Sequence, residues 1–178
     1  LERRVVGGTL LELVRGDITS QDTDAIVNAA NAQLAPGGGV AGAIYRAAGP
    51  GLWAECQALG GCHTGEAKLT SGHALQAKAI IHTVGPVYSG TPQDAEALRA
   101  CYRNSLRLAD ENGIRSLSFP AISTGAFGYP LAAAAQIAVK AVLTYLQEAT
   151  RLTLVRFVLY SPAAYDVFRD VLTSLTGD

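Results

Sequence analysis

The chain reads as a three-layer α/β sandwich around a largely parallel sheet, on three observations. Strand-like and helix-like segments alternate along most of its length. Two of the strand segments, AIVNAA from Ala25 and AIIHTV from Ala79, lack regular polar alternation, which is the pattern of strands buried on both faces. Glycine-rich loops stand between strand ends and helix starts, where open α/β sheets hold ligands. At 178 residues the chain is expected to form a single domain, residues 1–178, burying about two-thirds of the surface its unfolded form exposes.

The elements follow in order. LLELV, Leu10 to Val14, is the first predicted strand and stops at Arg15-Gly16-Asp17; AIVNAA is the second. VAGAIYRAAGPGLWAEC then reads as a helix interrupted at Gly49-Pro50-Gly51. Strands are expected at Glu66 to Thr70 and at Ala79 to Val84. From Pro92 to Asn112, Leu98, Cys101, Tyr102, Ser105, Leu108 and Ala109 share one helical face, while Glu96, Arg99, Arg103, Arg107 and Asp110 take the other. Thr91 caps that helix, Pro92 suits its first position and Gly113 ends it. IRSLSFPAI supplies another strand. Pro130 opens a helix expected to reach Ala149, whose polar stripe (Gln136, Lys140, Thr144, Gln147, Glu148) is so narrow that most of it must be buried. LTLVRFVLY is the last strand, and Ser161-Pro162 caps a final helix with Ala164, Val167, Phe168, Val171, Leu172 and Leu175 on one face.

Composition narrows the function classes. Apolar residues make up 49% of the chain and charged residues 16%, which argues against a disordered chain. The net charge of -1, with no basic run, argues against duplex nucleic acid as the main partner, because counterion release needs clustered Lys and Arg. No apolar run approaches the ~18 residues that cross a membrane. No signal peptide opens the chain, so a cytoplasmic location is expected; the absence of Met points to a trimmed natural start. Cys56, Cys62 and Cys101 lack C-x-x-C spacing and read as buried, reduced thiols, with Cys62-His63 and Cys56 the one grouping of metal-ligand chemistry.

The stretch NAQLAPGGGVAG satisfies the letter of G-x-G-x-x-G through Gly37, Gly39 and Gly42. Its context is wrong for a dinucleotide fingerprint, since NAQLAP separates strand from glycines and no strand-end acid follows about 20 residues later. Three glycines before a helix still let backbone N–H groups converge on an anion; the competing reading is a flexible turn. SFPAISTGAFGYP repeats the pattern with Ser123, Thr124, Gly125, Ala126 and Gly128 before the Pro130 helix. Two such loops on one sheet edge suit a ligand with at least two phosphates. Phe127 packs under a sugar or anchors the core. Asp17 accepts from an exocyclic amine or caps a turn, and Tyr160 stacks on a purine or merely ends a strand. Asn28 and Asn31, beside a buried strand, would each cost ~1–3 kcal/mol if unpaired, so one structural and one functional amide is the expected division. His82, inside an apolar strand, reads as a core histidine, and no nucleophile or metalloprotease motif is present.

Taken together, GDIT, IVNAAN, PGGGVAGAI with YRAAGP, HTVGP and PAISTGAFGYP resemble, in order, the macrodomain family, most closely its MacroD-type and viral or archaeal branches. The resemblance covers about Leu11 to Leu175. It implies a three-layer α/β/α sandwich with a central mixed sheet of about six strands and a cleft for ADP-ribose. It further implies that Asp17 binds the adenine amine, the Ile18 backbone another adenine edge, and that Tyr160 stacks nearby. Gly38, Gly39 and Val40 would line the diphosphate and distal ribose, with Ser123, Thr124, Gly125, Ala126 and Phe127 opposite them and Asn31 on the distal hydroxyls. The activity implied is slow hydrolysis of mono-ADP-ribose esters on acidic side chains, and of O-acetyl-ADP-ribose, with Asn31 as the catalytic residue. It needs no cofactor and no metal, and its partners are mono-ADP-ribosylated proteins. The alternative is a non-catalytic ADP-ribose reader. Two positions depart from the MacroD pattern: Ala41 stands where an acid is usual, and Tyr45 where a histidine is.

Overall fold

A computed structural model describes residues 1–177. Seven strands are ordered β1-β2-β7-β6-β3-β5-β4 across one sheet. They are β1 (Glu2–Val6), β2 (Thr9–Arg15), β3 (Ala25–Ala30), β4 (Ala67–Ser71), β5 (Ala79–Val84), β6 (Ser116–Phe119) and β7 (Leu154–Leu159). The five central strands are parallel, whereas β1 and β4 run antiparallel at the two edges. The sheet is therefore mixed, with one strand beyond the expected six. The extra strand is β1, and its sequence hides it. Val5 and Val6 are adjacent and so point to opposite faces, leaving no period-two apolar signal; pairing with β2 through a turn at Gly7 makes it a strand.

Helices cover both faces. Helices α1 (Gly39–Ala48) and α2 (Gly51–Leu59) pack Ile44, Ala48, Leu52 and Cys56 against Ile26 and Ile80. On the other face lie α3 (Pro92–Glu111), α4 (Leu131–Leu146) and α5 (Pro162–Thr176), whose Leu98, Val139 and Phe168 meet Val27, Ile81 and Phe157. Both faces of β3 and β5 are thus buried, as their unbroken apolar runs require. The cap chemistry holds: Thr91 and Asp94 form a capping box, and Ser161 Oγ accepts from Ala164 N at 3.1 Å. The helix after Pro130 ends at Leu146, three residues short of the expected Ala149, and buries Ala134, Ala135, Ala138, Val139, Val142 and Leu146. No helix is long and apolar enough to cross a membrane among the described residues.

Asn28 and His82, neighbours on β3 and β5, form a buried polar line through the α1/α2 layer. Asn28 Nδ2 donates to His82 Nδ1 at 3.0 Å, so the ring proton sits on Nε2 and reaches Thr70 Oγ1 at 2.8 Å. Asn28 is the structural member of the amide pair. Burial holds the His82 pKa down at about 4, against an ordinary 6.5. Between those values the unfolded chain takes up a proton that the native ring refuses. This contribution is full above about pH 6.5 and falls by about 3 kcal/mol as pH drops toward 4. Denaturant unfolding across that range checks it, with His82→Gln as reference. The stability gap between wild type and variant should narrow as the solution is acidified, and a gap independent of pH would contradict the assignment.

Candidate functional site

Parallel alignment puts the C-terminal ends of β2, β7, β6, β3 and β5 on one edge of the sheet, and the loops leaving them stand side by side in that order. Four strand spacings cover roughly 19 Å, the reach of an extended dinucleotide-sized molecule. A cleft of about 260 Å³ opens at the middle of this edge, between the loops after β3, β6 and β5. Another cavity, about 290 Å³ between Arg99, Arg103, Lys140 and Glu148, lies on the α3/α4 surface away from these loops.

One wall is the β3–α1 loop. Asn31 starts it and clamps it: Nδ2 donates to Ala35 O at 3.0 Å and Oδ1 accepts from Ala35 N at 2.9 Å. Each of those atoms keeps a second hydrogen-bonding valence. Tyr45 braces the same loop from α1, its hydroxyl donating to Leu34 O and its ring standing edge-on to Trp53. Burial, with the Cys56 thiol adjacent, raises the Tyr45 pKa and keeps the phenol neutral. The chain then turns at Gly39, whose φ of +55° lies in the region glycine favours. Gly42 allows α1 to close onto the loop, since a Cβ there would lie 2.4 Å from Gly37 O. Helix α1 has no side-chain cap, and the N–H groups of Gly39, Val40 and Ala41 have no partner among the described residues. They are the positive end of the helix dipole.

The facing wall is the loop after β6. Ser123 adopts φ +67°, unusual for a residue with a side chain, and is held there by two bonds: Oγ donates to Pro86 O and the Ser123 carbonyl accepts from Tyr129 N, both at 2.9 Å. Gly85 makes the space, because a Cβ there would fall 2.1 Å from Ser123 Oγ. The result is a turn in which the N–H groups of Gly125, Ala126 and Phe127 have no partner among the described residues. Phe127 is half-buried, belongs to neither core cluster and lines the cleft, so the core-anchor reading does not hold.

Of the expected site residues, Asn31, Gly38, Gly39, Val40, Ser123, Gly125, Ala126 and Phe127 come together in the cleft. Thr124 does not line it: its hydroxyl turns back to Ala121 O at 2.8 Å and stiffens the loop. Asp17, Ile18 and Tyr160 sit further along the same edge, where Gly16 N bonds Leu159 O at 3.1 Å and joins the ends of β2 and β7. Asp17 Oδ1 caps the turn Ile18–Ser20 through Thr19 N, while Oδ2 has no partner among the described residues; Tyr160 is 85% exposed. Ile18 buries its side chain in the α1/α2 layer. Ala29, Ala30, Gly37, Gly85, Ala121 and Ile122 also line it and are not among the expected site residues, and Ala41, where the resemblance puts an acid, lines it too. No charged side chain lines the cleft among the described residues. Cys56, Cys62 and Cys101 are free and buried, and no group of side chains able to hold a metal occurs among the described residues.

An α/β/α sandwich that gathers unpaired backbone amides from two loops at its parallel-sheet edge has the architecture of the α/β domains that hold anions at strand ends. The chain belongs to the macro domain family, whose model matches residues 27–138. It is 49% identical to an O-acetyl-ADP-ribose deacetylase of Salmonella newport, over 94% of this chain and 97% of that protein. It is 54% identical to the ADP-ribose glycohydrolase MACROD2 of Xenopus laevis, over 75% of this chain but 32% of that one. A variant of the Oceanobacillus iheyensis macrodomain solved with ADPR superposes with a TM-score of 0.96 at 42% identity, covering 99% of each chain.

The close approach of Gly42 to Gly37 gives a direct test. Gly42→Ala should destabilise the protein by about 1–3 kcal/mol and speed amide exchange in residues 37–41, because loop and helix must separate. Gly38→Ala meets open space and should cost about 1 kcal/mol or less. Equal stability losses in chemical denaturation would refute the packing role of Gly42.

Proposed function

We propose that the cleft binds ADP-ribose and that the protein hydrolyses mono-ADP-ribose esters of acidic side chains, with O-acetyl-ADP-ribose as a second substrate. The observation that carries this reading is a cleft with unpaired amides on both walls and no charged side chain. Amides from Gly39, Val40 and Ala41 on one side and Gly125, Ala126 and Phe127 on the other suit a diphosphate between them. Asp17 Oδ2 suits the adenine amine, Tyr160 the adenine face, and the free valences of Asn31 the distal ribose hydroxyls. The names of the relatives and the ADPR-bound neighbour agree with this ligand.

The absence of an ionisable side chain from the lining selects the chemistry. With no general acid to protonate a leaving group, the group must depart as a stable anion. A carboxylate does so, whereas a serine alkoxide or an arginine nitrogen does not, which favours ester linkages. In the proposed reaction Asn31 orients the distal ribose and the loops bend the diphosphate until a phosphate oxygen holds the attacking water. The water oxygen bonds to C1″ as the C1″–O bond breaks, its electron pair leaving on the carboxylate, and the water proton passes through the phosphate oxygen to solvent. A positioned base is worth about 10²–10⁴-fold, and Ala41 supplies none, so turnover is slow.

A second reading, that of a reader that binds without cleaving, is favoured by the same missing acid at Ala41. Release of ADP-ribose from a glutamate-modified protein decides between them: hydrolysis predicts slow but complete release, and none at high enzyme concentration leaves only the reader. Asn31→Ala should lower release by about 10²-fold or more while ADP-ribose binding persists in calorimetry. Ala41→Asp should raise the rate at least ten-fold if the absent acid is what limits it.

A further inference from the structure

With ADP-ribose in the cleft as proposed, adenine toward Asp17 and Tyr160, the distal ribose lies toward β3 and β5, and whatever is joined to it emerges over the loop that follows β5. That loop is tightly held. Pro86 O accepts from Ser123 Oγ at 2.9 Å, Tyr88 N donates to Phe127 O at 2.8 Å, and Asp94 Oδ2 accepts from Ser89 N at 2.7 Å and Gly90 N at 2.8 Å. Yet its apolar side chains face water: Val87 is 64% and Tyr88 43% exposed, the only adjacent pair among the large exposed hydrophobics of the described residues. The Tyr88 ring is set against Tyr129, centroids 4.9 Å apart, so it is an ordered surface rather than a loose side chain. The one acidic group of the segment, Asp94, is buried in the loop it organises. An apolar pair already fixed in place next to a cleft mouth loses little entropy on contact.

We infer that Val87 and Tyr88 form a docking rim for the polypeptide that carries the ADP-ribose, received through apolar residues flanking the modified acidic side chain. The inference rests on the proposed function, and it deepens it: the rim favours a modified protein over a small ester. An acetyl group presents no chain to reach these residues. A neutral, apolar rim matches an apolar flank and gives nothing to an acidic one.

The test compares a peptide mono-ADP-ribosylated on a glutamate between leucines with O-acetyl-ADP-ribose. The double variant Val87→Ser with Tyr88→Ser should lower kcat/KM for the peptide roughly ten-fold, chiefly through KM, as expected for two lost apolar contacts. Turnover of O-acetyl-ADP-ribose and affinity for free ADP-ribose should stay within about two-fold. Val87→Ser alone, at an exposed position that leaves the fold intact, should cost the peptide about three-fold. If the wild type binds the peptide without cleaving it, the same comparison is read as affinities, with the same factors expected. An equal loss on both substrates, or no loss on the peptide, overturns the docking rim. Failure of the wild type to bind free ADP-ribose overturns the proposed function itself, and the rim's occupant with it.

Discussion

Parallel strands cannot be joined by tight turns, and the rest of this structure follows from that constraint. Each passage between β2, β3, β5, β6 and β7 must cross the sheet through a helix or another long connection, so every departing loop lies on one edge and the returning segments enter at the other. The order of strands, not the order of the sequence, then decides what meets. Residues 17 and 160 become neighbours because β2 pairs with β7, and the loops after residues 30 and 119 face each other because β3 pairs with β6.

Holding those loops open is the second requirement. Unpaired amides are costly where water is excluded, and a free loop would fold back to satisfy them. Here the surrounding contacts prevent it. Asn31 closes on Ala35, Tyr45 on Leu34 and Ser123 on Pro86, so each loop is held in shape while the amides it turns to the cleft stay open. The strain of Ser123 at φ +67° belongs to the same arrangement, held by packing that Gly85 permits.

Much of this was legible in the sequence, for definable reasons. Buried strands betray themselves by unbroken apolar runs, and capping residues such as Thr91 and Ser161 mark their helices locally. The two glycine loops could be read because small residues ahead of a helix leave backbone amides open, and that shows in residue type. What escaped depends on distance. Gly85 matters through Ser123, 38 positions away, and no local pattern reveals that. Asn28 and Asn31 carry the same letters in the same motif, and only strand pairing with His82 shows which one is structural. Thr124 was expected to face the ligand like its neighbours, but its hydroxyl found a nearer acceptor in Ala121 O. Strand β1 was missed because a hairpin, rather than its own pattern, creates it.

The open amides of the cleft walls belong to the main chain, and this bears on how such a protein diverges. A site built from side chains is lost when those side chains are replaced. Here a replacement at Val40 or Ala126 exchanges one side chain for another and leaves the amide where it was, provided the chain keeps its path. Selection therefore acts on curvature: on the few places where an added methyl group would push two strands of backbone apart, such as Gly42 against Gly37. Much of the remaining lining can change its side chain without moving the amides that face the cleft.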